Sequence, residues 1–194
     1  MTPFLEYLKH YVDLTDKEEV VLVSKLRSKK YLKGQYIVQE GEICRHHTFI
    51  ISGKVRTFYL DKNGNEHIIA FGIENWWAGD LGSMITQTPA DFNVQSLGNT
   101  EVIQLSYDNL QVLYQEIPKL ERFFRLIIQK AYVHSQKRIV QNYSLSARER
   151  YILFCEEYPE IVQRVPQYMI ASYLGITKEF LSNIRRQIAK EPSR

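Results

Sequence analysis

Glycine is distributed unevenly along this 194-residue chain, and that distribution constrains its fold more than any other feature. Eight of the nine glycines lie between Gly34 and Gly98, where they separate short β-prone runs, and the ninth is Gly175. Short strands with frequent turns predict an antiparallel roll, barrel or sandwich. The segment from Asp61 to Asn65 contains the Asn-Gly signal of a tight hairpin. The β-prone runs are 35–38, 48–51, 55–60, 67–71 and 101–105.

The segments on both sides of this β region have helical periodicity. Apolar residues from Phe4 to Leu26 predict helices in roughly the first 30 residues. Pro118 suits the first turn of a helix, and ~26 uninterrupted residues from there to Tyr143 would extend over ~39 Å. We expect a seam on this helix to pair with a second copy in a parallel homodimer, although a helix packed on its own β domain is the alternative. The seam residues are Leu120, Phe123, Phe124, Ile127, Ala131 and His134.

The C-terminal part of the chain contains a helix-turn-helix pattern. Ser146 and Glu149 fit a capping box that would start one helix. Further on, Ala171 is small enough for two helices to cross closely, and Gly175 can adopt the left-handed conformation of a tight turn. Thr177 can then cap the next helix. This small-x-x-x-Gly spacing with flanking aliphatic residues is typical of a helix-turn-helix.

The helix after Thr177 has one apolar side and one polar side. At ~100° per residue, Leu181, Ile184 and Ile188 share the apolar side. The other side mixes cations with hydrogen-bonding groups, which suits the edges of bases in the major groove of DNA. We expect Gln167 and Tyr168, on the preceding helix, to contact phosphates. The candidate DNA-binding residues are Gln167, Tyr168, Thr177, Lys178, Glu179, Ser182, Asn183, Arg185, Arg186 and Lys190.

Charge and composition exclude several classes of protein. Residues 1–111 carry 11 Lys and Arg against 14 Asp and Glu, whereas residues 112–194 carry 14 against 8, which favours a polyanionic partner for the second part alone. There is no membrane-length apolar run and no signal-like start, so we expect a cytoplasmic protein. Two cysteines, Cys44 and Cys155, are too few for an iron–sulfur cluster, and we expect no cofactor. Catalytic motifs are missing, and the adjacent His46 and His47 would face opposite sides of a strand rather than share a metal.

The order of these features resembles the Crp/Fnr family of bacterial transcription regulators. The stretches that carry the resemblance are 37–42, 49–55, 79–82, 170–177 and 181–186. It implies an α+β protein with an antiparallel β-roll effector-type domain at 1–117, a dimerisation helix at 118–143 and a helix-turn-helix domain at 144–194. It also implies a homodimeric regulator that binds a palindromic operator, with RNA polymerase as a candidate partner. A sensing or interaction module that has lost DNA binding is the alternative.

The sequence departs from the family pattern at three places. Members that bind cyclic AMP hold its phosphate with an Arg-Ser pair, which falls here on Ala90 and Asp91, so we expect neither cyclic AMP nor cyclic GMP to bind. Lys178 and Asn183 replace two arginines of the recognition helix, so the preferred operator should differ. Pro192 and the following residues leave no room for a full β wing, which should weaken phosphate contacts. The predicted vestigial effector pocket comprises Gly79, Asp80, Leu81, Gly82, Ala90 and Asp91.

Overall fold

The computed structural model describes residues 2–191 of the chain. Its helices are α1 (Thr2–Lys9), α2 (Asp16–Lys25), α3 (Leu81–Thr86), α4 (Tyr107–Glu116), α5 (Lys119–Ser144), α6 (Ala147–Glu157), α7 (Pro159–Arg164), α8 (Gln167–Tyr173) and α9 (Lys178–Ile188). Its strands are β1 (Arg27–Tyr31), β2 (Tyr36–Val38), β3 (His46–Ser52), β4 (Val55–Leu60), β5 (Glu66–Gly72), β6 (Trp77–Ala78), β7 (Asn93–Ser96) and β8 (Thr100–Ser106). Within residues 2–191, no helix combines the length and the apolar character needed to cross a membrane.

The strands form two facing antiparallel sheets, which confirms the predicted α+β fold with an N-terminal β-roll. One sheet has the order β1-β8-β3-β6 and the other β2-β7-β4-β5. The β4–β5 hairpin turns at the predicted place, because the Asp61 carboxylate accepts the backbone N–H groups of Asn63 and Asn65, and Gly64 has φ +80°. The sequence did not predict β1, β6 or β7. The first has four exposed residues in five, and the other two are very short, so none carries a clear alternation.

Three apolar clusters hold the chain together. One lies between the first sheet and helices α1, α2, α4 and α5, and Phe4, Phe49 and Phe123 are fully buried in it. A second fills the interior of the roll around Ile50 and Val94. The third joins the outer face of the β4–β5 hairpin to α6, α7, α8 and α9. The helical C-terminal segment therefore shares a core with the roll.

The helix boundaries follow local capping signals. Ser146 and Glu149 form the predicted capping box at the start of α6, where the Ser146 hydroxyl accepts the Glu149 N–H. In return the Ser146 hydroxyl and backbone N–H both donate to the Glu149 carboxylate, which lowers the pKa of that carboxyl. Thr15 and Glu18 make the same arrangement at α2. The prediction about a β wing after α9 falls on residues 192–194, which lie outside the described residues.

Candidate nucleic-acid interface

The turn between α8 and α9 has the predicted helix-turn-helix geometry. Gly175 lies in the left-handed region at φ +68°, and the Ile176 N–H reaches back to the Ala171 carbonyl at 3.0 Å. Thr177 then caps α9, since its hydroxyl accepts the Phe180 N–H at 3.1 Å. Both helix ends are thus fixed by backbone and cap hydrogen bonds, so α9 leaves the turn in a defined direction.

Helix α9 buries its apolar side and exposes its polar side. Leu181 and Ile184 are buried in the third cluster together with Ala171. The predicted base-reading and phosphate-contacting side chains of this helix, and of Lys190 just after it, are all exposed: Lys178, Glu179, Ser182, Asn183, Arg185, Arg186 and Lys190. Within residues 2–191, Asn183 and Arg186 make no side-chain hydrogen bond or ion pair, so both are available to a ligand.

The two candidate DNA-binding residues on α8 differ in their exposure to solvent. Tyr168 is half exposed and points its ring out of the core. Gln167 is partly buried, and its side-chain oxygen is enclosed without a hydrogen-bond partner among the described residues. Tyr168 is therefore the better placed of the two for a phosphate.

The helix-turn-helix segment is docked on the β4–β5 hairpin through its first helix. The Ser172 hydroxyl on α8 accepts the Ile68 N–H at 3.0 Å and donates to the Glu66 carbonyl at 3.3 Å. Arg138 of α5 donates to a β5 carbonyl and lies 4.0 Å above the Tyr173 ring. These contacts leave the polar side of α9 free, because α8 and not α9 faces the roll.

A second set of polar contacts joins the end of α7 to the roll. The Arg164 guanidinium binds the Glu74 carboxylate at 2.6 and 2.8 Å and donates to the Gly53 carbonyl at 3.1 Å. Lys54 donates to the Arg164 carbonyl. The Arg164 hydrogen bonds hold the pKa of the Glu74 carboxyl at about 2, below its ordinary value of 4.5. The network fixes α7 against the β3–β4 turn at neutral pH.

Most of the α5 seam predicted to bind a second copy lies instead in the chain's own core. Leu120 and Phe123 are fully buried and Phe124 is 2% exposed, all in the first cluster, against which Ile127 also packs. The reason is that the β-roll and α1 already present an apolar surface to this side of the helix. For these four residues the prediction of a dimer seam was wrong: they pack on the chain's own domain, as in the alternative.

The remaining two seam residues have other surroundings. Ala131 and His134 are exposed, and both line a groove between α5 and the roll. The His134 ring makes a hydrogen bond with the Tyr158 hydroxyl at the end of α6. His134 therefore links the long helix to the C-terminal helices.

A different face of α5 is apolar and uncovered. Tyr132, Ile139 and Tyr143 are 63%, 52% and 90% exposed, and Ile128 is 37% exposed. At ~100° per residue these four lie within ~60° of one another, and the centre of the set is ~120° away from that of the buried seam. Val133 and Val140 widen the strip on one side and are also more than half exposed. We call this set of six residues the α5 strip.

The predicted effector pocket is occupied by the chain's own carboxylate. Asp80 is 4% exposed, and its two oxygens accept the Ser83 and Asp91 backbone N–H groups, each at 3.0 Å. Ala90 is buried, Asp91 is exposed, and residues 79–91 contain no basic side chain. The backbone N–H groups of Ser83 and Asp91 are thus already bound to the Asp80 carboxylate. No cation from residues 79–91 would neutralise a second anion at this place.

The histidines are not arranged as a metal site. His47 lies on the outer side of β3, with its ring 5.1 Å from that of Phe124, and burial lowers its pKa to about 4. His46 lies on the opposite side of the strand, as the sequence predicted. Among the described residues there is no group of three His, Cys, Asp or Glu side chains suited to a metal ion.

Comparison with known proteins first defines the class. A family model described as the cyclic nucleotide-binding domain matches residues 28–116, which comprise the β-roll and α4. Among solved structures, the c-di-GMP-responsive regulator CLP of Xanthomonas campestris has a TM-score of 0.73 at 14% identity, over 90% of this chain and 92% of that one. FixK2 of Bradyrhizobium japonicum has a TM-score of 0.72 at 18% identity, over 84% of each chain. The fold is that of a cyclic nucleotide-binding β-roll joined to a helical C-terminal domain.

The relatives found by sequence are transcription regulators. The transcriptional activator protein Anr of Pseudomonas aeruginosa is 24% identical over 142 residues, which are 73% of this chain and 56% of Anr. The fumarate and nitrate reduction regulatory protein of Vibrio cholerae is 25% identical over 177 residues, 84% of this chain and 69% of that protein. The chain is similar to transcription regulators of the Crp/Fnr type, which are not enzymes. It spans between about half and two thirds of the length of these relatives.

Proposed function

We propose that this protein is a homodimeric regulator that binds specific DNA sequences and does not respond to cyclic AMP. The observation that carries the proposal is the exposed polar side of α9, held by the Gly175 turn and the Thr177 cap in the arrangement of a recognition helix. Asn183 and Arg186 stand on that side without partners among the described residues. Asparagine can pair with adenine and arginine with guanine, so these two side chains are suited to read bases.

A second copy of the chain is the occupant that best fits the α5 strip. Ile128, Tyr132, Ile139 and Tyr143 are separated by steps of four, seven and four residues, the spacing at which two helices meet along a left-handed seam. None of the six strip residues is charged, so two copies would meet without burying an unpaired charge. A parallel pair of such helices would carry two α9 helices, which suits half-sites about one turn of DNA apart.

The dimer is tested by placing a charge in the strip. Ile139→Glu should convert the protein to a monomer in sedimentation velocity, because two carboxylates would oppose each other across the seam. Lys137→Glu also adds a carboxylate to an exposed position of α5, but outside the strip, and should leave the dimer intact. A wild-type protein that sediments as a monomer at all concentrations would refute the dimer.

DNA reading is tested by removing the two base-reading groups. Asn183→Ala/Arg186→Ala should lower affinity for a selected sequence by at least about 30-fold, since each lost contact costs ~1–3 kcal/mol. Lys62→Ala/Asn63→Ala removes the same charge and amide from the distant hairpin and serves as the control. Selection from random duplexes followed by fluorescence anisotropy measures both. If the α9 variant keeps wild-type specificity, the contact lies elsewhere. If the wild-type protein selects no sequence, it is a module without DNA-reading activity.

The lack of a cyclic-nucleotide response follows from Asp80. A cyclic phosphate in the predicted effector pocket would meet the buried Asp80 carboxylate. The basic side chain that would neutralise the phosphate is replaced by the apolar Ala90. Calorimetry with cyclic AMP and cyclic GMP should show no binding at micromolar concentration. Saturable micromolar binding of either nucleotide would overturn this part of the proposal and leave the DNA-binding part unaffected.

A further inference from the structure

A separate cavity of about 450 Å³ opens at one end of the roll, where β1, β8 and β3 lie side by side. Arg45, His46, Thr48 and Gln104 line its polar part. No residue between 79 and 91 lines this cavity, so it is distinct from the predicted effector pocket that contains Asp80. We propose that this roll-end cavity binds a small organic anion that carries a phosphate or carboxylate group.

The strand register brings the polar groups of the cavity onto one face of the sheet. Arg27 of β1 is paired directly with Gln104 of β8, which is paired on its other side with Thr48 of β3. Directly paired residues of antiparallel strands point to the same face, as do residues two apart on one strand. Lys29 and His46 therefore share this face with the row of three. Arg27 and Lys29 thus lie on the same face of the sheet as the imidazole, hydroxyl and amide that line the cavity, beside the lining itself.

The cations at this end of the roll are not neutralised by the chain. Within residues 2–191, Arg27, Lys29 and Arg45 form no ion pair with a carboxylate, and all three are exposed. Burial and then the charges of Arg27, Lys29 and Arg45 lower the pKa of His46. Among the described lining residues Glu42 is the one carboxylate. A bound anion would relieve the mutual repulsion of the cations.

The floor of the cavity is a preformed polar group. Gln104 is 7% exposed, and its amide makes hydrogen bonds to the Tyr31 hydroxyl at 3.2 Å and the Thr48 hydroxyl at 3.3 Å. The Gln104 NH₂ group is the donor in both bonds, so the Thr48 hydroxyl, which accepts one of them, keeps its own O–H to donate to an anion. Gln104 thus joins side chains of β1 and β3 across β8 and holds the Thr48 hydroxyl in position at the cavity.

The rest of the wall sets the class of ligand. Ile37, Val38 and Ile43 form an apolar side opposite the polar groups. Ligand sites commonly combine an apolar lining with a few convergent polar groups and a titratable residue of shifted pKa. The cavity thus fits a molecule that has both an anionic group and a small apolar or planar part.

Calorimetry with pyrophosphate, citrate and adenosine 5′-monophosphate at low ionic strength tests the proposal. The first two probes distinguish a phosphate from a carboxylate requirement, and the third adds a planar group for the apolar side. We expect saturable binding of at least one probe, and Arg27→Gln/Lys29→Gln should weaken it about tenfold or more, because two positive charges beside the cavity are lost. Binding should also raise the pKa of His46, which NMR titration of its ring protons reports.

The control uses the neighbouring lysine on the same strand. Lys30 directly follows Lys29 but faces the opposite side of β1, next to Glu101. Lys30→Gln should keep wild-type affinity, since it changes net charge without touching the cavity. Circular dichroism checks that each variant is folded. If no probe binds the wild-type protein, or if Lys30→Gln weakens binding as much per charge as the double variant, the proposal fails.

Discussion

Replacement of Gly175 by alanine tests the local physics of the helix-turn-helix. An added Cβ at this position would meet no atom within 4 Å, so the substitution creates no clash. The cost comes from φ alone, which is +68° here and costs an L-residue about 1–2 kcal/mol. Part of this is offset because alanine makes the unfolded chain less flexible, by ~0.4–1 kcal/mol. We expect a net destabilisation of about 1 kcal/mol.

Differential scanning calorimetry can measure this effect against two matched glycines. For a chain of this size, about 1 kcal/mol lowers Tm by ~2–4 °C. Gly98 also has open space around an added Cβ but does not have a positive φ in the strained range, so Gly98→Ala should not lower Tm. At Gly53 the Cβ would lie 2.6 Å from the Asn99 carbonyl oxygen, so Gly53→Ala should cost clearly more than Gly175→Ala. Equal Tm changes for Gly98→Ala and Gly175→Ala would refute the reasoning from φ.

Two further predictions concern titratable groups. Burial lowers the pKa of His47 from its ordinary value of 6.5 to about 4 in the folded state. Between these pH values the unfolded chain binds more protons than the folded chain, so the free energy of unfolding falls as pH decreases from about 6.5 to about 4, by up to about 3 kcal/mol. Chemical denaturation across this range should show a shallower pH dependence for His47→Phe, and an unchanged slope would contradict the assignment. The Glu74 carboxyl has a pKa of about 2 beside Arg164, so its contribution is present above pH ~4.5 and is lost as pH falls through about 2. Because the pair is one third exposed, we expect Glu74→Gln to cost about 1 kcal/mol at neutral pH and to have no further effect in Arg164→Ala; additive effects would show that the two side chains do not interact.

Short-range signals in the sequence were sufficient for the elements with strong local rules. The capping box at Ser146, the hairpin at Asp61 and the Gly175–Thr177 turn are each set by side chains that bond to backbone a few residues away. The same holds for the polar side of α9, because the helical period alone separates Asn183 from Leu181. These parts of the candidate DNA-binding site could therefore be predicted from sequence.

The strands β1 and β7 could not be predicted in this way. Arg27 to Tyr31 is mostly polar, and it becomes a strand because β8 offers it an unpaired edge. Such a strand forms because of backbone hydrogen bonds to a segment distant in sequence, and a short window of sequence cannot reveal that segment. The roll-end cavity depends on this pairing, since it brings Arg27 to Gln104.

The sequence by itself determined the capping box at Ser146, the Gly175–Thr177 turn and which side of α9 is polar, because these depend on interactions within about four residues. Only the tertiary structure decided which apolar side of α5 is free. Both sides have helical spacing, but Phe123 is covered by the roll and α1 whereas Tyr143 is not. The tertiary structure also decided that the Asp80 carboxylate accepts the backbone N–H groups of Ser83 and Asp91 in the predicted effector pocket. Periodicity identifies an apolar or a polar face, and the partner of that face depends on where the rest of the chain lies.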